Sequence, residues 1–357
     1  MYFQQMCSRL TTKLGARLPN ASAPQVRNQA LVSLALAYSP DCHLATLAML
    51  LPIPGQRENL IQRIRRWLDN QAMTQHRCYM PLVHHLFAHW SGVELGLVMD
   101  RTDIEDRWSL LMLAAAFHHR ALPLAWRLLP YGATNAETQI ALLQQVQPCL
   151  PDPQRVRTTL FGDCEFRAVK VQRYCQTHHW HWQLGLKSDI LFRQQEGRDW
   201  QPLRTIAVPR GERSYIQDVT LTKQHVFGPV SLIADWTRDE DTPRYVVLDQ
   251  PADRHSWRRG RKRFWIEPSF RDWKSYGFDL EDSKLVHPGR LETLLLAMAT
   301  TTLWMVHVSQ WVDETGRRPL LEAPHKRDYS IFRRGRDYAF RSQVMGWPLP
   351  IGFTVSH

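Results

Sequence analysis

The sequence predicts a mixed α/β protein: a helical first part, then a sheet-forming core interrupted by a β-rich insertion. Three observations carry that class. Apolar residues recur at helical spacing over residues 1 to about 90. From residue 92 the pattern turns to apolar runs in the order strand, strand, strand, helix, strand, helix, strand. Between about 195 and 256 that rhythm gives way to short strands set between Gly, Pro and charged turns.

The helical part contains PQVRNQALVSLALAYSP, CHLATLAMLLP and RENLIQRIRRWLDN, punctuated by Leu51-Pro52-Ile53-Pro54-Gly55. In the third segment Leu60, Ile61, Ile64, Trp67 and Leu68 share one helical side. Arg57, Arg63, Arg65 and Arg66 fall largely elsewhere, so an amphipathic helix with a basic outer side is expected. Two short helices followed by this one resemble a helix-turn-helix whose basic member meets phosphates, which makes Arg63 and Arg66 candidate nucleic-acid contacts. An ordinary solvated arginine face explains the same pattern.

Next, GVELGLVMDRT, WSLLMLAAAFHHR and ALPLAWRLLP read as an antiparallel meander. NAETQIALLQQVQPCL reads as a helix capped by Thr134 or Asn135, with Glu137 in its first turn. A strand RVRTTLFGDCEF, a helix RAVKVQRYCQTHH and a strand WHWQLGLKSDILF complete the order of an RNase H-like mixed sheet. The insertion contributes TIAVP, YIQDVTL, VSLIADW and RYVVLD as short strands. A basic run from Arg258 to Arg263, a helix carrying Glu267, a long apolar helix and a basic tail containing HKRDYSIFRRGRDYAFR follow.

Composition narrows the function. Lys and Arg outnumber Asp and Glu by 45 to 34, giving a formal charge of +11, which favours a polyanionic partner. The six cysteines form no C-x2-C pair, so neither a zinc ribbon nor a disulfide framework is indicated. No apolar leader is read at the start, and the expectation is a cytoplasmic protein. The run Leu291 to Val308 approaches the length of a membrane span. Glu292, three consecutive threonines and His307 make it a buried core helix instead, and no membrane partner is expected.

Asp100 sits at the end of the first predicted strand and Asp163 at the end of the fourth. In an RNase H-like sheet those strands are neighbours, so the two carboxylates would meet although far apart in sequence. A strand-end Asp is more often a turn or helix cap, and Asp103 and Glu165 are competing acids nearby. In RRGRKRFWIEPSFRDWKSYGFDLE, Arg263, Glu267 and Lys274 stand as R-x3-E-x6-K, which on one helix puts them on a shared face. A carboxylate flanked by two cations suits a cation-bound phosphate. A salt-bridged surface helix is the lesser alternative.

With these residues the chain resembles the DDE transposases of the bacterial insertion-sequence group whose signature is Y-x2-R-x3-E-x6-K. The resemblance covers almost the whole chain and implies that Asp100, Asp163 and Glu267 are catalytic metal ligands, holding two Mg2+ ions for which Mn2+ can substitute. It implies Arg263, Lys274 and Arg271 as DNA contacts, and Trp236 of the insertion as the aromatic face for an extruded base, with Trp257 behind it. It further implies double-stranded DNA as partner, both transposon ends and target, and a homodimer on that DNA near the nucleoid. One departure is plain: the signature tyrosine position is Gly260. The domain plan that follows is a helical DNA-binding region 1–90, a catalytic core 91–194, an insertion 195–256, a second core part 257–315 and a basic tail 316–357.

Two rivals share these features: an RNase H-like metal-dependent nuclease, and a non-catalytic DNA-binding protein derived from a transposase. A histidine-based hydrolase is disfavoured. His118-His119 and the HHWHW run from His178 to Trp182 have neither H-E-x-x-H spacing nor a nucleophile elbow.

Overall fold

A computed structural model describes residues 2–194, 196–323, 325–326 and 329–356. Six helices precede the sheet: α1 (Tyr2–Gly15), α2 (Ala23–Tyr38), α3 (Leu44–Met49), α4 (Arg57–Leu68), α5 (Gln75–Cys78) and α6 (Met80–Ala88). Of these α1, α5 and α6 were not expected as separate elements. Met6, Cys7, Leu10 and Leu14 of α1 are buried at helical spacing against α2. Helix α2 is buried almost all round and packs against α1 and the long helix near the C-terminus. The helical part therefore shares one apolar core with the sheet.

The meander is β1 (Glu94–Ile104), β2 (Trp108–Phe117) and β3 (Arg120–Pro130). After α7 (Ala136–Val146), β4 (Arg157–Gly162), α8 (Val169–Thr177) and β5 (His181–Leu186), the order β3-β2-β1-β4-β5 is complete. The first three strands pair antiparallel, and β4 and β5 run parallel to β1. That is the RNase H-like arrangement predicted from the element order. His118 and His119 form the two-residue turn between β2 and β3, both with positive φ (44° and 60°). Such a hairpin turn needs that conformation and usually takes Asn or Gly. This histidine pair is a turn, and His119 rests on Trp265.

After β5 come β6 (Leu191–Arg193), which precedes the expected insertion, and then β7 (Gln201–Pro202), β8 (Arg213–Leu221), β9 (Phe227–Asp235) and β10 (Arg244–Leu248) within it. TIAVP, expected as a strand, forms none: Thr205 ends the 3-10 turn Leu203–Thr205 and residues 206–209 are open chain. The predicted strand WHWQLGLKSDILF is split, because the chain breaks after Leu186 and re-enters the sheet as β6. Strand β10 pairs antiparallel with β5, so the insertion extends the core sheet into one sheet of ten strands.

Two short helices, α9 (Arg254–Gly260) and α10 (Ile266–Arg271), return the chain to the core. Then α11 (Pro288–Glu314) and α12 (Ile331–Met345) pack on each other. In α11, 89% of the most apolar window is buried inside the protein, so its apolar surface is already occupied by the fold. The basic C-terminal segment is built around α12, whose Phe332, Tyr338 and Ala339 are buried. Pro324, Arg327 and Asp328 of that segment lie outside the described residues.

Candidate active site

Register brings the two aspartates together. In the parallel pairing of β1 with β4, Met99 is opposite Gly162, so Asp100 and Asp163 are the next residues along adjacent strands. Strand β1 continues four residues beyond Asp100, to Ile104, which places Asp100 inside the strand rather than at its end. Asp163 leaves the sheet and caps the 3-10 turn Cys164–Phe166, its Oδ1 accepting from the Glu165 N–H at 2.7 Å. The capping role that any strand-end aspartate offers is therefore real here, and Asp163 holds it while standing beside Asp100.

Gly185 on β5 makes that turn possible. A Cβ there would lie 2.8 Å from the Cys164 nitrogen and 3.0 Å from the Asp163 carbonyl carbon. Both are backbone atoms that cannot swing aside. An isolated glycine inside a strand pattern is the sequence signal for such a close approach. It was present in WQLGLK.

Glu267 arrives from the other direction. The helical path from Arg254 to Tyr276 changes pitch three times: α9, a 3-10 stretch Arg261–Trp265, α10, and a π turn Asp272–Tyr276. Pro268 lacks the N–H that would bond Phe264, which fits a change of pitch just before α10. Helix α10 is seated on the edge strand β3, where the Ala121 N–H donates to Ser269 Oγ at 2.8 Å and Arg120 pairs with Asp272 at 2.7 Å. Glu267 itself is exposed. Arg263 lies in the 3-10 stretch and Glu267 in α10, whereas Lys274 lies within the π turn, where its side chain is drawn to other partners. Its Nζ donates to the Asp103 carbonyl at 2.7 Å and pairs with Glu281 at 2.8 Å, tying the π turn to the end of β1.

Asp100 records how these groups meet. Its carboxyl is pushed up to about 7, first by burial and further by the charges of Asp163 and Glu267. The Arg101 N–H, donating to Oδ1 at 2.8 Å, and the Arg263 charge act the other way. The neighbouring acids are otherwise engaged. Arg101 points to the opposite face of the sheet, where it bonds Asp103 at 2.5 Å and Glu165 at 3.1 Å. Glu165 also accepts from the Thr134 N–H and hydroxyl at 2.8 and 2.7 Å. Asp103 also accepts from Ser109 at 2.7 Å. Sequence reasoning missed this Arg101 clamp, which needs three-dimensional pairing to be seen.

Hard carboxylate oxygens whose charges oppose one another are the donor chemistry that a divalent cation suits. Among the described residues, no three His, Cys, Asp or Glu side chains are close enough to form a closed ligand group. The spread follows from placement: Asp163 is turned into its cap and Glu267 stands exposed on a six-residue helix.

Asp163 also lines a groove of about 1070 Å³ between α7, α8 and strands β6 and β8. Arg167, Arg173, Lys187 and Lys223 lie along it, over apolar Leu186 and Leu221. The remaining predicted contacts are dispersed. Arg271 lines a separate cleft of about 650 Å³ between α2, α10 and α12. Trp236 is half-buried at the end of β9, with its indole N–H donating to the Glu240 carbonyl at 2.9 Å. Trp257 donates to Asp235 at 3.0 Å and is stacked by the Arg213 guanidinium at 3.7 Å. On α4, Arg66 is exposed, whereas Arg63 bonds Asn28 at 3.0 Å. Gly260 packs against β5, where a Cβ would fall 2.2 Å from the Gln183 amide nitrogen. The space beside that backbone is taken by glutamine.

A ten-stranded sheet with this strand order and acids at the β1 and β4 junction defines an RNase H-like protein. Residues 92–304 match the family model described as Transposase DDE domain, and the chain belongs to that family. It is a DNA transposase by family, and such proteins work with divalent metal ions. No curated protein matches the chain. A solved piggyBac transposase synaptic complex with hairpin DNA is similar at a TM-score of 0.49 and 10% identity, over 97% of this chain and 80% of that one.

Proposed function

We propose that this chain binds the terminal inverted repeats of an insertion sequence, cleaves the ends through a hairpin route and joins them to target DNA, acting as a homodimer that bridges two ends. The observation that supports this reading is the register of β1 against β4, which sets Asp100 and Asp163 side by side, with the charges of Arg263 and Glu267 acting on the Asp100 carboxyl. Asp100, Asp163 and Glu267 would hold Mg2+ or Mn2+, which when bound activates the attacking oxygen and stabilises the departing one.

The chain's own residues supply the rest. Arg263, beside Asp100, offers a fixed cation for a non-bridging phosphate oxygen. Lys274, with two N–H donors engaged, has a third for the same strand. The groove leading away from Asp163 offers a strand the cations Arg167, Arg173, Lys187 and Lys223 over apolar Leu186 and Leu221, although Glu137, Glu165 and Asp189 share its lining. Arg66 of α4 and Arg271 beside Glu267 extend phosphate contact outward, and Trp236 offers an aromatic face for an unpaired base once its turn opens. The test uses purified protein, labelled end duplexes and Mg2+. Asp163→Ala should abolish nicking and joining and leave end binding unchanged. A variant that still cleaves removes the carboxylate assignment. Cleavage without joining by the wild type makes the chain a nuclease, and binding without cleavage makes it a non-catalytic relative.

A further inference from the structure

The helix that delivers the chain to Glu267 carries a ridge of arginines that the catalytic reading does not use. Arg254, Arg258 and Arg261 stand at i, i+4 and i+7 on α9 and the 3-10 stretch after it, and all three are exposed. At 100° per residue they cluster on one face, opposite the buried Ser256 and the Gly260 that packs against Gln183. Among the described residues none of the three forms an ion pair; only Arg261 leans toward the Trp257 ring, at 5.8 Å. An ordinary solvated face of this kind is usually laced with acids. This one has no acid between Asp253, which is spent as the N-cap of α9, and Glu267.

The ridge is also held rigidly. Trp257 sits beside it under the Arg213 guanidinium and bonded to Asp235, which fixes α9 to the insertion sheet. Below, Lys262 reaches across the sheet to Glu94 at 3.6 Å, over Gly96, where the absence of a side chain leaves room for it. On this fixed helix a row of guanidiniums about 10 Å long, from seven residues at 1.5 Å each, spans about three phosphate steps on one strand of a duplex, each about 3.4 Å along its axis. No aromatic ring is free on the ridge to stack unpaired bases, because Trp257 is covered.

We infer that Arg254, Arg258 and Arg261 form a sequence-independent docking ridge for the phosphate backbone of duplex DNA, which lays the duplex along α9 toward Glu267. This deepens the transposase reading and rests on it. The ridge contributes equally to an end-containing duplex and to a random duplex, because phosphates carry no sequence.

The experiment measures dissociation constants of the full chain for both duplexes over a series of KCl concentrations. Replacing all three arginines by glutamine should lower the salt slope by about 2.7, at about 0.9 per phosphate contact, and weaken binding at 0.15 M salt on the order of 100-fold for both duplexes. The triple Arg→Lys variant should keep the slope, which separates lost charge from damaged folding. An unchanged slope in the glutamine variant overturns the ridge while the carboxylate test stands on its own. Loss confined to the end duplex overturns sequence independence. Tighter binding of single-stranded RNA than of duplex overturns the choice of partner, and a wild type that binds neither duplex sinks ridge and transposase reading together.

Discussion

At the residue scale the site depends on side chains that do not touch substrate. Gly185 matters because two backbone atoms of the turn at Asp163 occupy the place of a Cβ. Gly185→Ala must push that turn away from β5, and a displacement near 1 Å at a reacting group costs on the order of 100-fold in rate. The expected outcome is therefore end cleavage reduced on the order of 100-fold with end affinity unchanged, read from labelled duplexes and from titration. Unaltered cleavage would mean that the turn tolerates the shift and that Asp163 is not held where its capping bond puts it. How far such detail could be read beforehand varies by residue. The adjacency of Asp100 and Asp163 was legible because strand order alone makes β1 and β4 neighbours. The engagement of Asp103 and Glu165 by Arg101 was not, because Arg101 reaches one acid on its own strand and another 64 positions away.

At the element scale the legible parts are those with clean periodicity. Strands β1 to β4 and helix α7 follow from apolar alternation and caps. The pitch changes between α9 and the π turn do not, since R-x3-E-x6-K looks like one regular helix on paper. Tertiary contacts decide there: Ser269 on β3, Trp273 bonded to Thr302 on α11, and Lys274 on β1 each pull one turn to its own place. The pairing of α11 with α12 is likewise invisible in sequence, although it rests on one residue. A Cβ on Gly335 would fall 1.9 Å from the Met305 carbonyl oxygen, so the two helices approach backbone to backbone. Gly335→Ala should destabilise the protein by about 1–3 kcal/mol, the usual cost of overpacking, despite alanine's better helix propensity. Urea unfolding checks this, and a midpoint equal to or above wild type would show that α12 can slide without loss.

At the scale of the whole molecule, the C-terminal segment is fastened to α11 and to the N-terminal helix α1, and that fastening responds to pH. The last segment runs beside α11, with Trp304 donating to the Pro350 carbonyl at 2.9 Å and His307 Nδ1 bonded to the Thr354 carbonyl at 3.0 Å. His307 is held below the usual histidine range by burial, with Lys13 adding to the effect and the Thr354 bond and Glu314 opposing it. His85 of α6, in the same small cavity beside Arg17, is pushed down to about 4, first by burial and then by Arg17 and the other histidines. Both folded histidines bind protons less readily than in the unfolded chain. Their contribution to stability is therefore fully present above about pH 6.5 and is lost as pH falls toward about 4. One pKa unit corresponds to about 1.4 kcal/mol. Allowing for partial solvent contact, unfolding free energy should drop on the order of 2 kcal/mol between about pH 6.5 and 4.5. The double variant His85→Gln, His307→Gln should flatten that slope while leaving the fall below about pH 4, where carboxylates protonate. Chemical denaturation at a series of pH values measures both curves. Parallel curves for variant and wild type would move the acid sensitivity away from this junction of α1, α6, α11 and the C-terminal segment.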